Sequence, residues 1–339
     1  MRKLNFFLAG ALLAVCVTVG GLGGGNTRAQ AAGTQYYLGG MTAGFSLSAN
    51  GVEIIAFKEV ASDAGTSCPA AQAGMKAGDL IVAVDGIHTR TIGELGDALD
   101  RSGGQETNFL IKRGGESIEM SVLPAKDKKD GKYKIGILIR DTLSGIGTVT
   151  YIEKESGRFG ALGHAVCDES RVSFALADAT VYRCSIVGVN RGERGRAGEL
   201  RGIVLSDDPI ASADKVCETG LYGIFADKYD YSTLQTVEIA PLSQATIGKA
   251  VIYSTVDGVE PRAYEVAIAK VDAGNRSNKN FVIKVTDEDL LRESGGIVQG
   301  MSGSPIVQNG KLIGAVTHVL RIIRIPAMAI KDFSTKTAK

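Results

Sequence analysis

Short apolar runs that end at glycine-containing turns are the feature that most limits the folds open to this chain. The sequence has 44 glycines but only 7 prolines in 339 residues, and 44% of its residues are hydrophobic. Short Val- and Ile-rich runs between turn residues are typical of strands in sandwiches and barrels. Domains of about 100–200 residues are usual, so the length fits two. We therefore expect a mostly β protein with two modules.

Charge and cysteine content exclude two classes of function. The 38 Lys and Arg residues nearly balance 37 Asp and Glu residues, so no strongly basic field favours nucleic acid as a partner. None of the cysteines forms a C-x-x-C pair, so zinc is not expected, and no cofactor is predicted. Free thiols and a single disulfide both remain open for these cysteines, which are Cys16, Cys68, Cys167, Cys184 and Cys217.

The first 32 residues have the composition of a targeting segment. Arg2 and Lys3 precede an apolar core at 6–19, and the Ala-Gln-Ala at 29–31 fits a cleavage site. The core is shorter than the roughly 20 residues that span a bilayer. We therefore favour a cleaved export signal over an uncleaved anchor, and in either case expect the rest of the chain to work outside the cytoplasm.

Residues 38–124 form the first predicted module. Thr91 is placed to cap a helix at 92–100, and Gly114-Gly115 predicts a tight hairpin turn. The predicted strands are 51–57, 80–84, 108–113 and 117–123. The charged stretch at 126–134 is interpreted as a solvated linker or hairpin tip.

This module resembles a PDZ domain in residues 69–81 (Pro-Ala-Ala-Gln-Ala-Gly-Met-Lys-Ala-Gly-Asp-Leu-Ile) and in Val-Asp-Gly at 84–86. PDZ domains add an extended peptide to a sheet edge. The nearest match to the PDZ carboxylate-binding loop predicts four peptide-binding residues, which are Gly44, Phe45, Ser46 and Leu47. Plain core packing is the alternative for Phe45 and Leu47.

From residue 135 onward the pattern predicts short strands and one helical turn, at 287–292. The Gly- and Arg-rich stretch 190–199 is predicted to be a solvated loop. The predicted strands are 135–139, 147–152, 172–177, 180–189, 251–254, 263–269, 280–285, 297–298 and 312–316.

Residues 300–306 (Gly-Met-Ser-Gly-Ser-Pro-Ile) place Ser302 in a glycine-rich bend between apolar runs. Such a bend can leave backbone N–H groups free to stabilise an oxyanion, and Gly300 and Ser302 are the candidates. A serine there is a candidate nucleophile if a histidine and a carboxylate reach it. An ordinary turn remains the alternative on these residues alone.

The chain has three histidines, which limits the choice of a general base. His88 is predicted to lie in a surface turn of the first module, and His318 to have a structural role in a strand. His164 lies in a glycine-flanked turn between predicted strands, where a base can be exposed on one side and held on the other. His164 is therefore the predicted base.

Three segments together resemble the stage IV sporulation protein B peptidase family. They are residues 141–148 (Asp-Thr-Leu-Ser-Gly-Ile-Gly-Thr), 159–164 (Phe-Gly-Ala-Leu-Gly-His) and the run from Gly295 to Val319. The resemblance implies a PDZ-like domain followed by a chymotrypsin-like double β-barrel, with a serine peptidase domain at 135–339. By position it implies Ser302 as nucleophile, His164 as base and Asp287 as acid. Asp208 is the alternative acid and Ser304 the weaker alternative nucleophile.

The resemblance also implies a biological role in sporulation signalling. Members cleave themselves and then a membrane-bound regulator, which triggers processing of a sigma factor. The expected substrate is therefore a peptide or protein, the expected location is the space between the forespore membranes, and the expected anchor, if one is kept, is the N-terminal segment.

The sequence departs from this family after Val319. The family's Asn-Asp-Pro and Gly-Tyr-Gly stretches are replaced by Leu-Arg-Ile-Ile-Arg-Ile-Pro at 320–326. One alternative is therefore an exported PDZ scaffold with impaired catalysis. The other is an envelope quality-control peptidase, which the order of the two modules disfavours.

Overall fold

The computed structural model describes residues 35–162, 176–193, 196–217, 219–275, 279–320 and 327–331. Strands dominate these residues, which confirms the predicted mostly β class. No helix in these ranges is long and apolar enough to cross a membrane. The predicted export segment, Cys16, Cys167 and His164 lie outside the described residues, as does most of the predicted strand 172–177.

The first half of the chain forms ten strands and two helices. They are β1 (Tyr36–Leu38), β2 (Thr42–Phe57), β3 (Val60–Ser62), β4 (Gly65–Ser67), α1 (Pro69–Gln72), β5 (Leu80–Val84), β6 (Ile87–His88), α2 (Ile92–Arg101), β7 (Thr107–Arg113), β8 (Glu116–Val122), β9 (Ala125–Lys126) and β10 (Tyr133–Lys134).

The rest is built almost entirely of strands. The elements are β11 (Ile137–Glu153), β12 (Arg158–Ala161), β13 (Leu176–Asn190), β14 (Glu199–Cys217), β15 (Gly220–Phe225), β16 (Thr236–Ile239), a 3-10 turn (Leu242–Gln244), β17 (Gly248–Ser254), β18 (Arg262–Val271), β19 (Phe281–Val285), α3 (Glu288–Ser294), β20 (Pro305–Gln308), β21 (Lys311–Leu320) and β22 (Ala327–Lys331).

The small module is a sheet of β2, β5, β7 and β8 with α2 packed on it. The helix forms as its sequence predicts, because its apolar residues recur on one face. Thr91 caps it: the Thr91 side chain accepts the Glu94 N–H at 3.1 Å, and the Glu94 carboxylate accepts the Thr91 N–H at 3.3 Å. Leu95, Ala98 and Leu99 are buried against the sheet.

Six strands of the first half of the peptidase domain pair in a closed cycle. The order is β2–β11–β12–β15–β14–β13, and β13 pairs with β2 again. Inward-facing apolar side chains fill this first ring, including Val149, Phe159, Val181 and Leu221. Ring closure pairs the edge strands, which is how barrels avoid exposed edges.

A second closed cycle of six strands follows. The order is β17–β18–β19–β22–β21–β20, and β20 pairs with β17 again. Its core includes Ile252, Val266, Ile283 and Ile306. The sixth strand, β22, comes from the C-terminal segment that departs from the family pattern. Two such rings fit the predicted double barrel.

The long strands β2 and β11 belong to both the small module and the first ring. Thr42–Ser48 of β2 pairs with Thr142–Thr148 of β11 in the ring, and Glu53–Phe57 pairs with Ile137–Arg140 in the small module. No loop separates the two parts at this point. The predicted module boundary at residue 38 therefore places the start of β2 with the small module, whereas its pairing lies in the ring.

The predicted peptide-binding residues Gly44, Phe45, Ser46 and Leu47 lie in β2 and do not form a loop. This part of β2 pairs with β11 on one side and β13 on the other, so it has no free edge for a peptide strand. The Phe45 and Leu47 side chains are buried in the first ring. The prediction was wrong, because an apolar segment with glycine fits a buried strand as well as a binding loop.

The charged stretch 126–134 forms the predicted hairpin tip. Strands β9 and β10 pair there, and the Lys134 Nζ lies 2.6 Å from carboxylate oxygens of both Asp127 and Asp130. Hydrogen bonds to these two carboxylates raise the pKa of Lys134. Tyr133 packs against the core of the small module, so this hairpin is attached to it.

Candidate active site

The bend that carries Ser302 lies between α3 and β20. Gly300 and Gly303 have φ angles of 96° and 98°, a left-handed conformation that favours glycine. Ser302 is half-buried, and its hydroxyl donates to the Thr317 carbonyl at 3.4 Å. The predicted strand at 297–298 is absent, and Gln299 instead makes a single bridge to Glu199.

Strand β11 of the first ring holds this bend through three hydrogen bonds. The Thr148 hydroxyl donates to the Gly300 carbonyl at 2.9 Å, and the Thr150 hydroxyl to the Gly303 carbonyl at 2.7 Å. The Thr148 N–H donates to the Ser302 carbonyl at 2.9 Å. Both threonines are buried. These bonds fix the bend from outside the sheet that it enters, which gives Ser302 a defined position.

Of the four backbone N–H groups at residues 300–303, two donate hydrogen bonds to described residues and two do not. The N–H groups of Met301 and Gly303 donate to the carbonyls of Val298 (3.2 Å) and Val316 (2.7 Å). The N–H groups of Gly300 and Ser302 have no acceptor among the described residues. Unused N–H groups beside a serine hydroxyl can stabilise the oxyanion of an acyl-transfer intermediate. The sequence predicted the same two groups.

Ser304, the alternative nucleophile, is fully buried. Its hydroxyl lies 3.0 Å from the hydroxyl of Ser254 on β17. A substrate carbonyl cannot reach a hydroxyl in this position without opening the barrel. The structure therefore favours Ser302 of the two serines.

Leu162, two residues before His164, lies beside the bend. Its N–H donates to the Thr148 carbonyl at 3.2 Å, and a Cβ built on Gly303 would be 2.7 Å from the Leu162 nitrogen. The described chain before residue 164 therefore ends next to Gly303, the residue that follows Ser302. His88 is exposed as predicted, although it lies in β6 and not in a turn, and the backbone of His318 in β21 pairs with Ala329 of β22.

Asp287 caps α3. Its Oδ1 accepts the Leu290 N–H at 2.9 Å, and its Oδ2 accepts the Glu265 N–H at 3.2 Å. Aspartate is a favoured N-cap residue for this reason. Asp287 therefore has a structural role, and its role as triad acid stays a prediction. The alternative acid, Asp208, has an 81% exposed side chain 4.0 Å from Lys228, whereas a triad acid is usually buried.

The segment 190–199, predicted to be solvated, supports the bend. Arg191 donates to the carbonyls of Leu291 and Arg292 at the end of α3. The Gln299 N–H donates to the Gly198 carbonyl at 2.8 Å. Sequence patterns did not predict these contacts, because most of them use backbone atoms and so leave no side-chain signature.

Two other reactive groups are unsuited to catalysis at neutral pH. Burial raises the pKa of the Cys184 thiol, so the thiolate nucleophile is disfavoured. Burial, with Glu293 nearby, raises the pKa of Tyr264 to about 12. No group of three His, Cys, Asp or Glu side chains in the described ranges could hold a metal ion. The described thiols Cys68, Cys184 and Cys217 are free.

The small module has its own groove, of about 430 Å³, between α2 and residues 133–139. Apolar side chains line it, including Ile92, Leu95 and Leu99 of α2 and Ile137 of β11. At one end the N–H groups of Ile135 and Gly136 have no acceptor among the described residues, and Gly136 has a φ of 80°. Adjacent unused N–H groups can bind a carboxylate.

Sequence reasoning missed this groove although it had a signal. Residues 134–137 read Lys-Ile-Gly-Ile, which is an apolar–glycine–apolar run like the one at 43–47. By residue type the run at 43–47 is the nearest match to the PDZ carboxylate-binding loop. Only the tertiary structure shows that the later run faces α2.

Comparison with protein-family models gives two matches. A model described as SpoIVB peptidase S55 matches residues 131–324, and a PDZ domain model matches residues 60–113. The first covers more than half of the chain. The PDZ match excludes residues 44–47 and includes α2, in agreement with their positions in the structure.

Individual relatives match smaller parts. A protein of Lactococcus lactis named provisionally as a zinc metalloprotease is 32% identical over 136 residues, which is 38% of this chain and 29% of that protein. A protein of Brucella suis with a similar name is 27% identical over 31% of this chain and 28% of its own length. The chain thus spans less than a third of these relatives.

One solved structure is the PDZ domain of an SdrC-like protein from Listeria monocytogenes. It is 29% identical, and the likeness covers 27% of this chain and 90% of that one with a TM-score of 0.22.

We predict that Gly303→Ala disrupts the bend, whereas Gly310→Ala does not. Both glycines have positive φ, but a Cβ on Gly303 would lie 2.0 Å from the Thr148 carbonyl oxygen and a Cβ on Gly310 meets nothing within 4 Å. Gly310→Ala should cost only about 1 kcal/mol, from its φ angle alone. Thermal unfolding and labelling of Ser302 by a fluorophosphonate measure both effects. Equal labelling of the two variants would contradict the role given to Gly303.

Proposed function

Because the chain belongs to the SpoIVB peptidase S55 family, a family of serine peptidases, we propose that it is a serine endopeptidase with Ser302 as nucleophile. The observation that carries the proposal is the bend itself. The half-buried Ser302 hydroxyl is on a turn that β11 holds, and the Gly300 and Ser302 N–H groups of this turn have no acceptor among the described residues. This is the arrangement that acyl transfer requires.

The proposed mechanism uses the predicted triad. The Ser302 hydroxyl attacks the substrate carbonyl while His164 takes its proton and later gives it to the leaving amine. The Gly300 and Ser302 N–H groups stabilise the oxyanion. Asp287 orients the imidazole and stabilises its charged form, in addition to capping α3. His164 then takes a proton from a water molecule that attacks the acyl-enzyme ester, and gives it to the Ser302 oxygen as the ester C–O bond breaks and the acid product leaves.

The position of Leu162 supports His164 as the base. Two residues of chain span at most about 7 Å, and Leu162 is already in contact with the bend that carries Ser302. This short chain separation supports the proposal that the His164 imidazole takes the Ser302 proton. His88, whose side chain is the one histidine side chain that the structure describes, belongs to the small module and is exposed.

The alternative of a scaffold without catalysis rests on the divergent C-terminal segment. Residues 327–331 of that segment supply β22, which closes the second ring. The barrel that carries the nucleophile bend is therefore complete in its strand pairing. This favours the enzyme over the scaffold.

We further propose that the groove beside α2 binds the C-terminus of a polypeptide. A peptide strand can lie along β11 there, because this part of β11 pairs with β2 on one edge and faces α2 on the other. Its carboxylate would accept the free N–H groups of Ile135 and Gly136, and its last side chain would pack on Leu95 and Leu99. The ligand is part of the substrate or of a second copy of the chain.

The biological setting is also a proposal. The family resemblance and the N-terminal segment together support an exported protein that acts between the membranes of a developing spore. Its substrates would be the chain itself and a membrane-bound regulator. The N-terminal segment lies outside the described residues, so support for export comes from its sequence alone.

Ser302→Ala should abolish fluorophosphonate labelling and peptide cleavage, whereas Ser304→Ala should keep both. Ser304 is buried against Ser254, so its loss should lower stability by about 1 kcal/mol without touching the nucleophile. Mass spectrometry of the labelled chain identifies the modified residue. Labelling of Ser302→Ala at the wild-type rate would eliminate Ser302 as nucleophile.

Asp287→Asn separates the two roles of Asp287. Asparagine is as good an N-cap as aspartate but has one acceptor oxygen and not two, so it keeps the bond from the Leu290 N–H and loses the one from the Glu265 N–H, and stability should fall by about 1 kcal/mol. A triad acid replaced by its amide loses about 10⁴-fold in kcat, because the imidazole is no longer held in the right tautomer. Thermal unfolding and cleavage kinetics of the same preparation test this. An unchanged kcat would show that Asp287 is a cap only.

Ile92→Asp should weaken peptide binding to the α2 groove about tenfold or more, whereas Ile87→Asp should not. Both isoleucines are largely exposed, but only Ile92 lines the groove. Fluorescence anisotropy of a labelled peptide ending in a free valine carboxylate measures the affinity, with the C-terminal amide of the same peptide as control. Equal binding of acid and amide would argue against carboxylate capture.

A further inference from the structure

A second apolar groove, of about 480 Å³, lies on the outer face of the first ring. It is formed by neighbouring positions of β2, β11, β13 and β14. Its lining residues are mostly small or apolar and include Gly44, Ile146, Tyr182, Gly202 and Val204. Nothing in the proposed mechanism uses it.

This groove lies next to the Ser302 bend along two strands. Ile146 and Thr148 are two residues apart on β11 and therefore face the same side of the strand. Thr148 bonds to the Gly300 carbonyl, and a Cβ built on Gly202 would lie 2.8 Å from Ile146.

Strand β14 also leads from the groove to the Ser302 bend. Leu200 is two residues before Gly202, and a Cβ on Gly300 would lie 3.0 Å from the Leu200 side chain. On both strands the next position on the same face after the groove, Thr148 on β11 and Leu200 on β14, therefore contacts Gly300, two residues before the nucleophile.

An irregularity in β14 forms the outer wall. Tyr182 of β13 pairs with Pro209 of β14, but Cys184 pairs with Val204, so β14 has extra residues between these pairs. The extra residues bulge over the sheet and bring the Val204 side chain within 3.1 Å of a Cβ built on Gly44. Bulges are common next to active sites, where they redirect side chains.

The bulge exposes apolar side chains that a monomeric protein usually buries. Ile203, Val204 and Leu205 are consecutive and each about half exposed, and Val204 lines the groove. Exposed apolar surface of this kind marks a binding site. A Cβ at Gly145 would meet nothing within 4 Å, so a ligand backbone can lie close to the sheet there, whereas Val204 fills the space over Gly44, and Cys184 and Ile146 fill the space over Gly202.

The groove also has a charged end. Asp207 lines it and is exposed, and no positively charged side chain pairs with it among the described residues. The other lining residues are apolar, aromatic, glycine, serine or cysteine. A ligand that fits is therefore extended, apolar near the Ser302 bend, and positively charged further away.

We propose that this groove is the subsite that selects the substrate segment next to the cleaved bond. It takes an apolar side chain near the bend and a Lys or Arg at the Asp207 end. The inference rests on the proposed peptidase function, because the occupant is the polypeptide that Ser302 attacks. The position of the groove next to the bend on β11 and β14 and the charge at its far end together favour this occupant over a lipid surface or a second copy of the chain.

Val204→Asp tests the subsite against a matched control, Val187→Asp. Val204 and Val187 are 51% and 55% exposed on the same pair of strands, but only Val204 lines the groove. The probes are quenched fluorogenic decapeptides that differ by a single Leu→Ser change at successive positions around the cut. A single apolar side chain changes kcat/KM by about 10–200-fold.

The expected result is position-specific. Wild type and Val187→Asp should prefer Leu over Ser at one position by at least about tenfold, and Val204→Asp should lose that preference mainly through KM. Asp207→Asn should lower the preference for Lys or Arg further along the same peptide. Fluorophosphonate labelling, with a probe that lacks a peptide, shows in each variant that the nucleophile is intact.

Other results would overturn the inference. If Val204→Asp keeps the wild-type Leu preference, the groove does not bind substrate. If Val204→Asp changes only the sedimentation of the protein or its binding to lipid vesicles, the exposed patch serves a second copy or a membrane. If the wild type neither reacts with the fluorophosphonate nor cleaves peptides, the proposed function fails together with the subsite. If Val204→Asp reacts with the fluorophosphonate and keeps the wild-type Leu preference, only the subsite is ruled out.

Discussion

Two threonine hydroxyls on one strand hold the nucleophile bend, and the candidate active site depends on them. Thr148 and Thr150 bind the carbonyls of Gly300 and Gly303, on either side of Ser302. Since these carbonyls are occupied, the bend cannot rotate to satisfy its own N–H groups. The N–H groups of Gly300 and Ser302 therefore remain available, which is an electrostatic preorganisation set by the fold before substrate binds.

The same strand links three functional regions. At its start β11 borders the groove beside α2, in its middle it forms the floor of the apolar groove, and near its end it holds the bend. Alternation of side chains along a strand makes this possible, since one face can contact the second ring while the other fills the first. Recognition and chemistry thus share one rigid element.

Capping residues, turn residues and the spacing of apolar residues in the sequence predicted the local structure well. Thr91 and the spacing of Leu95, Ala98 and Leu99 predicted α2, and Gly114-Gly115 predicted the turn between β7 and β8. Prediction failed where structure depends on partners far away in sequence. Residues 44–47 fit both a loop and a strand until β13 is placed beside them, and β14 has too many exposed polar residues to show a strand pattern. Ser302 was predicted from glycines and family resemblance, and Asp287 also has a capping role that its helix alone could have indicated.

The unbroken course of β2 and β11 has a mechanical consequence. A strand of 16 residues is about 50 Å long, and these two strands pair with each other on both sides of the junction, where a register shift places four residues of β2 opposite Asp141. A paired ribbon resists bending in its plane but twists more readily. The connection between the small module and the first ring is therefore stiff to bending and softer to twisting. A force applied at α2 therefore arrives at Thr148 as a change of twist.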